Sequence, residues 1–291
     1  MQTHEQLYII DYARALVIIY IYFPMKTNEV IKDITYNVCG TLIDLLLWQV
    51  FLVGASIGKS GPRGVHEAFR EADNILQKVN HRTLSATWYQ LTKKRLLTYN
   101  KRKNIFTAEI TNFGKKRLLQ KFPQYYQKRP WDKKIYLITY DIQTKANTKR
   151  DKLRRFLNQI GCKLLQESVY LTPYNPRQII SEFDNKYKIP GTIIVSDMGQ
   201  DGGIGETDIK DVLVKLYTLE SVNDRYEKFI ATSKKKNIVL KSLMFEYLSI
   251  LKDDPQLPFN LLPEGWYGDK AYNIYEKLKS QYVLSMSHVR R

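Results

Sequence analysis

The sequence predicts an α+β protein with two or three domains, and three observations support this. Its 291 residues exceed the usual length of one domain. Hydrophobic residues make up 44% and charged residues 26%, as in ordinary globular proteins. Two consecutive segments differ in their patterns of residues. The first is basic and alternates helices with a hairpin, and the second alternates apolar strands with amphipathic helices.

The positive charge is concentrated in one segment. The chain has 46 Lys and Arg against 29 Asp and Glu, a net charge of +17. Residues 78–134 contain sixteen of these cations and only two acids, Glu109 and Asp132, which accounts for +14 of that total. A general lysine bias would spread charge along the whole chain. The clustering indicates instead a surface that binds a polyanion.

The centre of the basic segment predicts an amphipathic helix. Leu84, Trp88 and Leu91 have helical spacing and should dock on the domain, after a preceding helix over 65–76. Asn80 or Thr83 can cap the helix. The opposite face should carry groups that reach base edges and phosphates. The candidate DNA-binding residues on and beside it are Arg82, Thr83, Ser85, Tyr89, Lys93 and Lys94.

A basic hairpin should follow this helix. Residues 96–99 and 105–111 are strand-like and flank a polar tip that contains Lys101, Arg102 and Lys103. Thr111 or Asn112 can then start a closing helix. This order predicts a winged helix-turn-helix domain over 42–128, with the hairpin as the wing against a DNA backbone. The alternative is a solvated basic helix and hairpin that bind nothing.

Residues 131–230 predict a ferredoxin-like domain. Strands are expected over 135–142, 164–172 and 192–195. A helix over 151–160 should end at Gly161, and another should start at Asn175-Pro176. This β-α-β-α-β order forms a sheet with helices on one face.

Several motifs in this half of the chain resemble known families. Y-D-I at 140–142, R-D-K-L-R-R-F-L at 150–157 and Q-E-S-V-Y at 166–170 resemble the small ferredoxin-like CRISPR-associated endonuclease. The helix expected over 217–230 resembles that of the PaaX-like transcriptional repressors. D-D-P-Q-L-P at 253–258 and L-L-P-E-G-W-Y-G at 261–268 resemble the C-terminal signature of the same family.

The resemblance implies a DNA-binding repressor. It implies an N-terminal winged helix on double-stranded DNA, a central ferredoxin-like domain that forms a homodimer, and a C-terminal helical domain over 231–291. In such repressors a small acyl-CoA-type ligand releases the DNA. Residues 1–41 are an N-terminal extension of unknown role.

A membrane location is not expected. The apolar run 16–23 is too short to cross a bilayer, and the run 42–58 contains Asp44 and Gln49, so a buried helix is the better interpretation. Two distant cysteines, Cys39 and Cys162, fit a reducing cytoplasm.

Asp141 is the candidate catalytic and metal-binding residue of an alternative function. It ends the first strand of the ferredoxin-like domain, where the CRISPR-associated relatives carry an aspartate that can face its partner-subunit copy near a metal. Two such carboxylates could hold Mg²⁺ for a metal-dependent nuclease. Otherwise Asp141 caps the following loop or pairs with Lys149 or Arg150. A further alternative is a protein that bridges DNA without regulating a promoter.

Overall fold

A computed structural model of the chain describes residues 38–39, 41–53, 55–57, 79, 81–102, 105–199, 208–235 and 239–288. The helix expected over 65–76, the cap Asn80, the wing residue Lys103 and almost all of the N-terminal extension lie outside these ranges. The helix-turn-helix as a whole therefore stays a prediction.

The chain divides into two compact units. The first unit comprises 1–124, 229–252 and 270–291, and the second comprises 125–228 and 253–269. The segment 231–291, which the sequence predicts as one helical domain, is thus shared between them. Each unit has its own sheet.

The first unit contains a small antiparallel sheet with helices around it. Before residue 125 the described helices are α1 (Leu42–Val53), α2 (His81–Lys93) and α3 (Asn112–Lys121), and the described strands are β1 (Ala55–Ile57), β2 (Leu97–Arg102) and β3 (Ile105–Ile110). The strand order is β1-β3-β2, and both pairings are antiparallel. Thr111 accepts a hydrogen bond from the Gly114 amide and caps α3, which confirms one of the two predicted start positions.

Helix α1 is buried almost all round. Leu45, Leu46 and Leu47 are consecutive and fully buried, so no face of this turn meets solvent. Trp48 packs against Phe245, with ring centroids 4.7 Å apart, and beside Tyr282. This enclosure explains the resemblance of the run to a membrane segment. No helix in the described ranges is both long and apolar enough to cross a membrane.

The two polar side chains of α1 are each bonded inside the first unit. Asp44 is 1% exposed and accepts hydrogen bonds from Arg117 Nε at 2.7 Å and from the Thr41 hydroxyl at 2.7 Å. Gln49 Oε1 accepts a 2.9 Å hydrogen bond from the buried Lys241 ammonium group. Because unpaired buried polar groups are costly, these contacts fix how α3 and the C-terminal helices pack on α1.

The second unit is an antiparallel sheet with strand order β5-β6-β4-β7. The strands are β4 (Ile135–Asp141), β5 (Lys163–Gln166), β6 (Val169–Thr172) and β7 (Thr192–Met198), and the helices are α4 (Asn147–Gln159), α5 (Arg177–Tyr187) and α6 (Ile209–Leu216). A 3₁₀ turn over Thr144–Ala146 precedes α4. The order β-α-β-β-α-β is that of a ferredoxin-like fold.

Three more α-helices follow α6 in the described residues. They are α7 (Leu219–Ser233), α8 (Leu240–Asp253) and α9 (Gly268–His288), with a second 3₁₀ turn over Phe259–Leu261. All three α-helices contribute buried side chains to the core of one unit or the other.

Both faces of the second sheet are covered, whereas the sequence pattern predicts helices on one face. Leu153, Leu157 and Ile180 of α4 and α5 pack on one face. Leu213 of α6 and Leu257, from the 253–269 segment, pack on the other. The 253–269 signature therefore supplies core residues to the second unit.

One predicted strand is in fact two. Residues 163–172 form a hairpin, β5 and β6, because Glu167 adopts a left-handed conformation with φ of 37° and turns the chain. The turn contains no Gly, Pro or Asn, which are typical turn residues, so the sequence pattern does not predict it. The predicted C-terminal glycine of α4 is confirmed: Gly161 has φ of 88°. Helix α5 begins at Arg177, with Pro176 as its cap.

We expect the Asp44–Arg117 pair to be needed for stability. Arg117→Met leaves a buried carboxylate with only its Thr41 partner and should lower the free energy of unfolding by about 3 kcal/mol. Lys116→Met removes the same charge from an exposed neighbour and should change it by less than about 0.5 kcal/mol. Urea denaturation of both variants measures the difference. Equal stabilities would show that the pair contributes nothing.

Two glycines with positive φ allow a matched test of the second sheet. Gly191 has φ of 100°, and a Cβ there would lie 2.1 Å from the Asp141 carbonyl oxygen, whereas Gly161 has open space around it. Gly161→Ala should cost roughly 1 to 2 kcal/mol from the backbone conformation alone. Gly191→Ala adds a clash with β4 and should cost clearly more. Thermal denaturation of the two variants would contradict this if Gly161→Ala were the less stable.

Candidate nucleic-acid interface

Helix α2 has one buried and one exposed face. Leu84, Trp88 and Leu91 are buried, as their spacing predicts. At 100° per residue, Arg82, Tyr89 and Lys93 lie within a narrow arc on the opposite side, and all three are exposed. This face therefore presents two cations and one aromatic ring to solvent.

Ser85 does not belong to the exposed face, which corrects one sequence-based assignment. Its side chain is 7% exposed, because position 85 is on the Trp88 flank of the helix. Thr83 is half-buried on the other flank. Gln90, which the sequence analysis missed, is partly exposed between Lys93 and Thr83 in the helical projection. A strict helical projection of the sequence would have separated these positions.

The exposed face continues past the end of α2. Lys93 holds its ammonium group 5.8 Å from the Tyr89 ring centroid. Lys94 and Arg95 are exposed in the turn that follows, where Arg95 adopts φ of 53°. The turn ends at the buried Leu96, which returns the chain to the sheet.

The hairpin β2–β3 carries two of the predicted wing residues. Lys101 pairs with Phe106 and Arg102 with Ile105. Lys101 and Arg102 are thus in the last two positions of β2. Lys103 lies outside the described residues.

Helix α3 fixes the turn between α2 and β2. The Thr111 hydroxyl donates to the carbonyl oxygens of Arg95, at 2.6 Å, and Leu96, at 3.1 Å. The Thr111 amide donates to the same Leu96 carbonyl. Gly114 approaches this carbonyl so closely that a Cβ would lie 2.3 Å from it. These contacts hold the C-terminal end of α2 and the start of the hairpin in one arrangement.

Part of the basic segment has structural partners. Arg117 is paired with Asp44, and Lys134 is paired with Asp197 at 3.1 Å. Arg129 is buried between the rings of Tyr125 and Phe259 and donates to the Leu257 carbonyl oxygen. Other cations of the first unit are exposed and make no ion pair within the described residues; they are Arg82, Lys93, Lys94, Arg95, Lys115, Lys116 and Lys121.

Comparison with known families now identifies the chain. The family model described as the PaaX protein central Cas2-like domain matches residues 128–208, and the PaaX-like protein C-terminal domain matches 217–289. Together they span more than half of the sequence. The chain belongs to the PaaX-like family. Its two matched domains are those of a PaaX-type regulator.

One solved structure has a similar fold. The chain is similar to an uncharacterized protein from Mycobacterium tuberculosis, with a TM-score of 0.50 and 15% sequence identity. The similarity covers 74% of this chain and 86% of that one. At this identity the likeness concerns the fold alone. No curated protein matches the sequence.

Asp141 ends β4 of the PaaX-like central domain with an exposed side chain. Its two expected cationic neighbours are engaged elsewhere: Lys149 donates to the Tyr187 carbonyl oxygen and Arg150 to the Ile142 carbonyl oxygen. Within the described residues, no three His, Cys, Asp or Glu side chains come together as a metal-binding group. A site of this kind would need the Asp141 of a second copy.

The two faces of α2 should differ in their effect on stability. Trp88→Ala removes a buried indole and should lower the free energy of unfolding by roughly 3 to 5 kcal/mol. Tyr89→Ala removes a ring that is 38% exposed on the opposite face and should cost about 1 kcal/mol or less. Chemical denaturation compares them. A larger loss for Tyr89→Ala would mean that the face is part of a core.

Proposed function

We propose that the protein is a sequence-specific DNA-binding repressor that acts as a homodimer on a palindromic operator. The observation that carries the proposal is the exposed face of α2, which presents Arg82, Tyr89 and Lys93 beside a basic hairpin in the same unit. A helix of this kind enters the major groove, and the hairpin contacts the flanking backbone.

The geometry of the first unit supports a winged helix. The antiparallel strand order β1-β3-β2 and the docking of α2 through Leu84, Trp88 and Leu91 agree with that arrangement. The Thr111 contacts favour a rigid link between helix and hairpin, which a protein needs to read bases with one part and phosphates with another.

Unpaired surface charge supports DNA as the partner. Lys115, Lys116 and Lys121 of α3 add to the cations of α2, and no ion pair within the described ranges neutralises them. Cations that neutralise phosphates release condensed counterions, so binding should weaken steeply as salt rises.

The central Cas2-like domain is proposed as the dimerisation domain. Its edge strand β5 exposes Leu164 and Leu165, and its other edge strand, β7, exposes Ile194. Such edges and apolar groups favour a partner of the same kind. Dimerisation would set the distance between the two operator half-sites. Release by a small acyl-CoA-type ligand belongs to the same proposal and rests on the family resemblance.

Selection from a pool of random duplex DNA tests the function, with one arm in Mg²⁺ and one in chelator. We expect intact fragments enriched in an inverted repeat in both arms. Metal-dependent cleavage that Asp141→Ala abolishes would overturn the repressor in favour of a nuclease. Salt-sensitive binding without sequence enrichment would overturn it in favour of a DNA-bridging protein.

Two variants separate base contacts from backbone contacts on the selected operator. Arg82→Ala should weaken operator binding by about 1 to 3 kcal/mol and reduce discrimination against unrelated DNA. Lys101→Ala should weaken all sequences alike and reduce the salt slope by about 1. Lys215→Ala, an exposed lysine of the second unit, is the control of equal charge change. Fluorescence anisotropy at several salt concentrations measures each effect, and unchanged binding by Arg82→Ala and Lys101→Ala would rule out this interface.

A further inference from the structure

A groove of about 500 Å³ runs between α4 and α5 in the second unit. Its volume is within the range of small-molecule sites. The lining combines long cationic side chains with aromatic rings and one carboxylate. The residues are Lys152, Arg155, Phe156, Gln159, Ile179, Glu182, Phe183, Lys186 and Tyr187.

The groove holds two ammonium groups against a single ring. Lys152 Nζ is 3.4 Å and Lys186 Nζ is 5.3 Å from the Tyr187 ring centroid. Both ammonium groups are attracted to the same ring. An anion bound beside them would lower the repulsion between their like charges.

The cations of the groove, Lys152, Arg155 and Lys186, form no ion pair with any residue in the described part of the chain. Arg155 Nε donates a hydrogen bond to the Asp151 carbonyl oxygen at 3.3 Å. The one carboxylate of the lining, Glu182, accepts a 3.0 Å hydrogen bond from the side-chain amide of Gln178. The lining thus carries three positive charges against one negative charge.

The apolar part of the groove is flat and aromatic. The rings of Phe156 and Phe183 stack with centroids 3.9 Å apart and an interplanar angle of 14°. Tyr187 packs at an angle to Phe183, 4.7 Å away, and Ile179 adds an exposed aliphatic side. Such a surface favours a planar apolar group over a flexible polar one.

We propose that the groove between α4 and α5 binds a phosphate ester that carries a flat aromatic group. A phosphate monoester has a charge of about −1.5 to −2 at pH 7, which matches the net charge of the lining better than a single carboxylate does. Lys152, Arg155 and Lys186 bind the phosphate, and the aromatic group lies along Phe156 and Ile179. The site is in the second unit and does not depend on DNA binding.

Isothermal titration calorimetry of the full chain without DNA tests this assignment. The probe is 1-naphthyl phosphate, compared with 1-naphthol, 1-naphthoate and inorganic phosphate. We expect one molecule of 1-naphthyl phosphate to bind per chain, at least about tenfold more tightly than each of the other three, because only it has both the ring and the double charge.

Charge-matched variants locate the binding. Arg155→Gln and Lys186→Gln each remove a charge-assisted hydrogen bond to the phosphate and should weaken 1-naphthyl phosphate about tenfold. Lys215→Gln removes an exposed lysine of α6, outside the groove, and should leave the affinity unchanged. All three positions are exposed, so the variants should fold.

Three results would overturn the proposal. They are the absence of saturable binding of 1-naphthyl phosphate, equal binding of 1-naphthol, 1-naphthoate or inorganic phosphate, and an affinity that Arg155→Gln and Lys186→Gln leave unchanged. Because no step uses DNA, a failed repressor assignment and a failed ligand site give separate results.

Discussion

A carboxylate inside an apolar helix determines how the first unit is built. Asp44 is enclosed in α1 among consecutive buried leucines, and Arg117 of α3 is its cationic partner. Since an unpaired buried charge is costly, α3 must pack where Arg117 reaches Asp44. Thr111 at the start of α3 then binds the carbonyl oxygens of Arg95 and Leu96. The buried pair thereby governs the position of α2 and the hairpin, which form the proposed DNA surface.

Some cations of the basic segment are engaged in contacts within the protein, and others are exposed to a binding partner. Arg117 is committed to Asp44, and Arg129 is enclosed by two aromatic rings and bonded to a backbone carbonyl. Arg82 and Lys93 are exposed without ion pairs in the described ranges. A net charge summed along the sequence therefore overstates the charge that a polyanion can meet. The proposed interface therefore contains fewer cations than the basic segment.

In the second unit, the family signature over 253–268 contributes residues to the core. Leu257 and Leu261 pack on the sheet face opposite α4 and α5. Asp254 is buried and accepts hydrogen bonds from the Tyr226 hydroxyl and the backbone amide of Gln256. Burial raises the pKa of this carboxyl group. The signature residues thus close the core of the Cas2-like domain on the sheet face opposite the α4–α5 groove. Trp266 packs edge-on against Tyr226 in the same region.

Local sequence determined the elements whose cause is local. The stripe Leu84, Trp88 and Leu91 fixed the buried face of α2, and Thr111 and Gly161 fixed two helix ends, because hydrophobic periodicity and cap chemistry act over a few residues. The family motifs likewise gave the Cas2-like domain. Only the tertiary structure decided which polar residues are buried. Ser85 is enclosed on the flank of α2, Asp44 and Arg117 meet across 73 residues, and the groove cations gather from two helices. Burial and pairing depend on which distant segments pack together, and no local pattern carries that information.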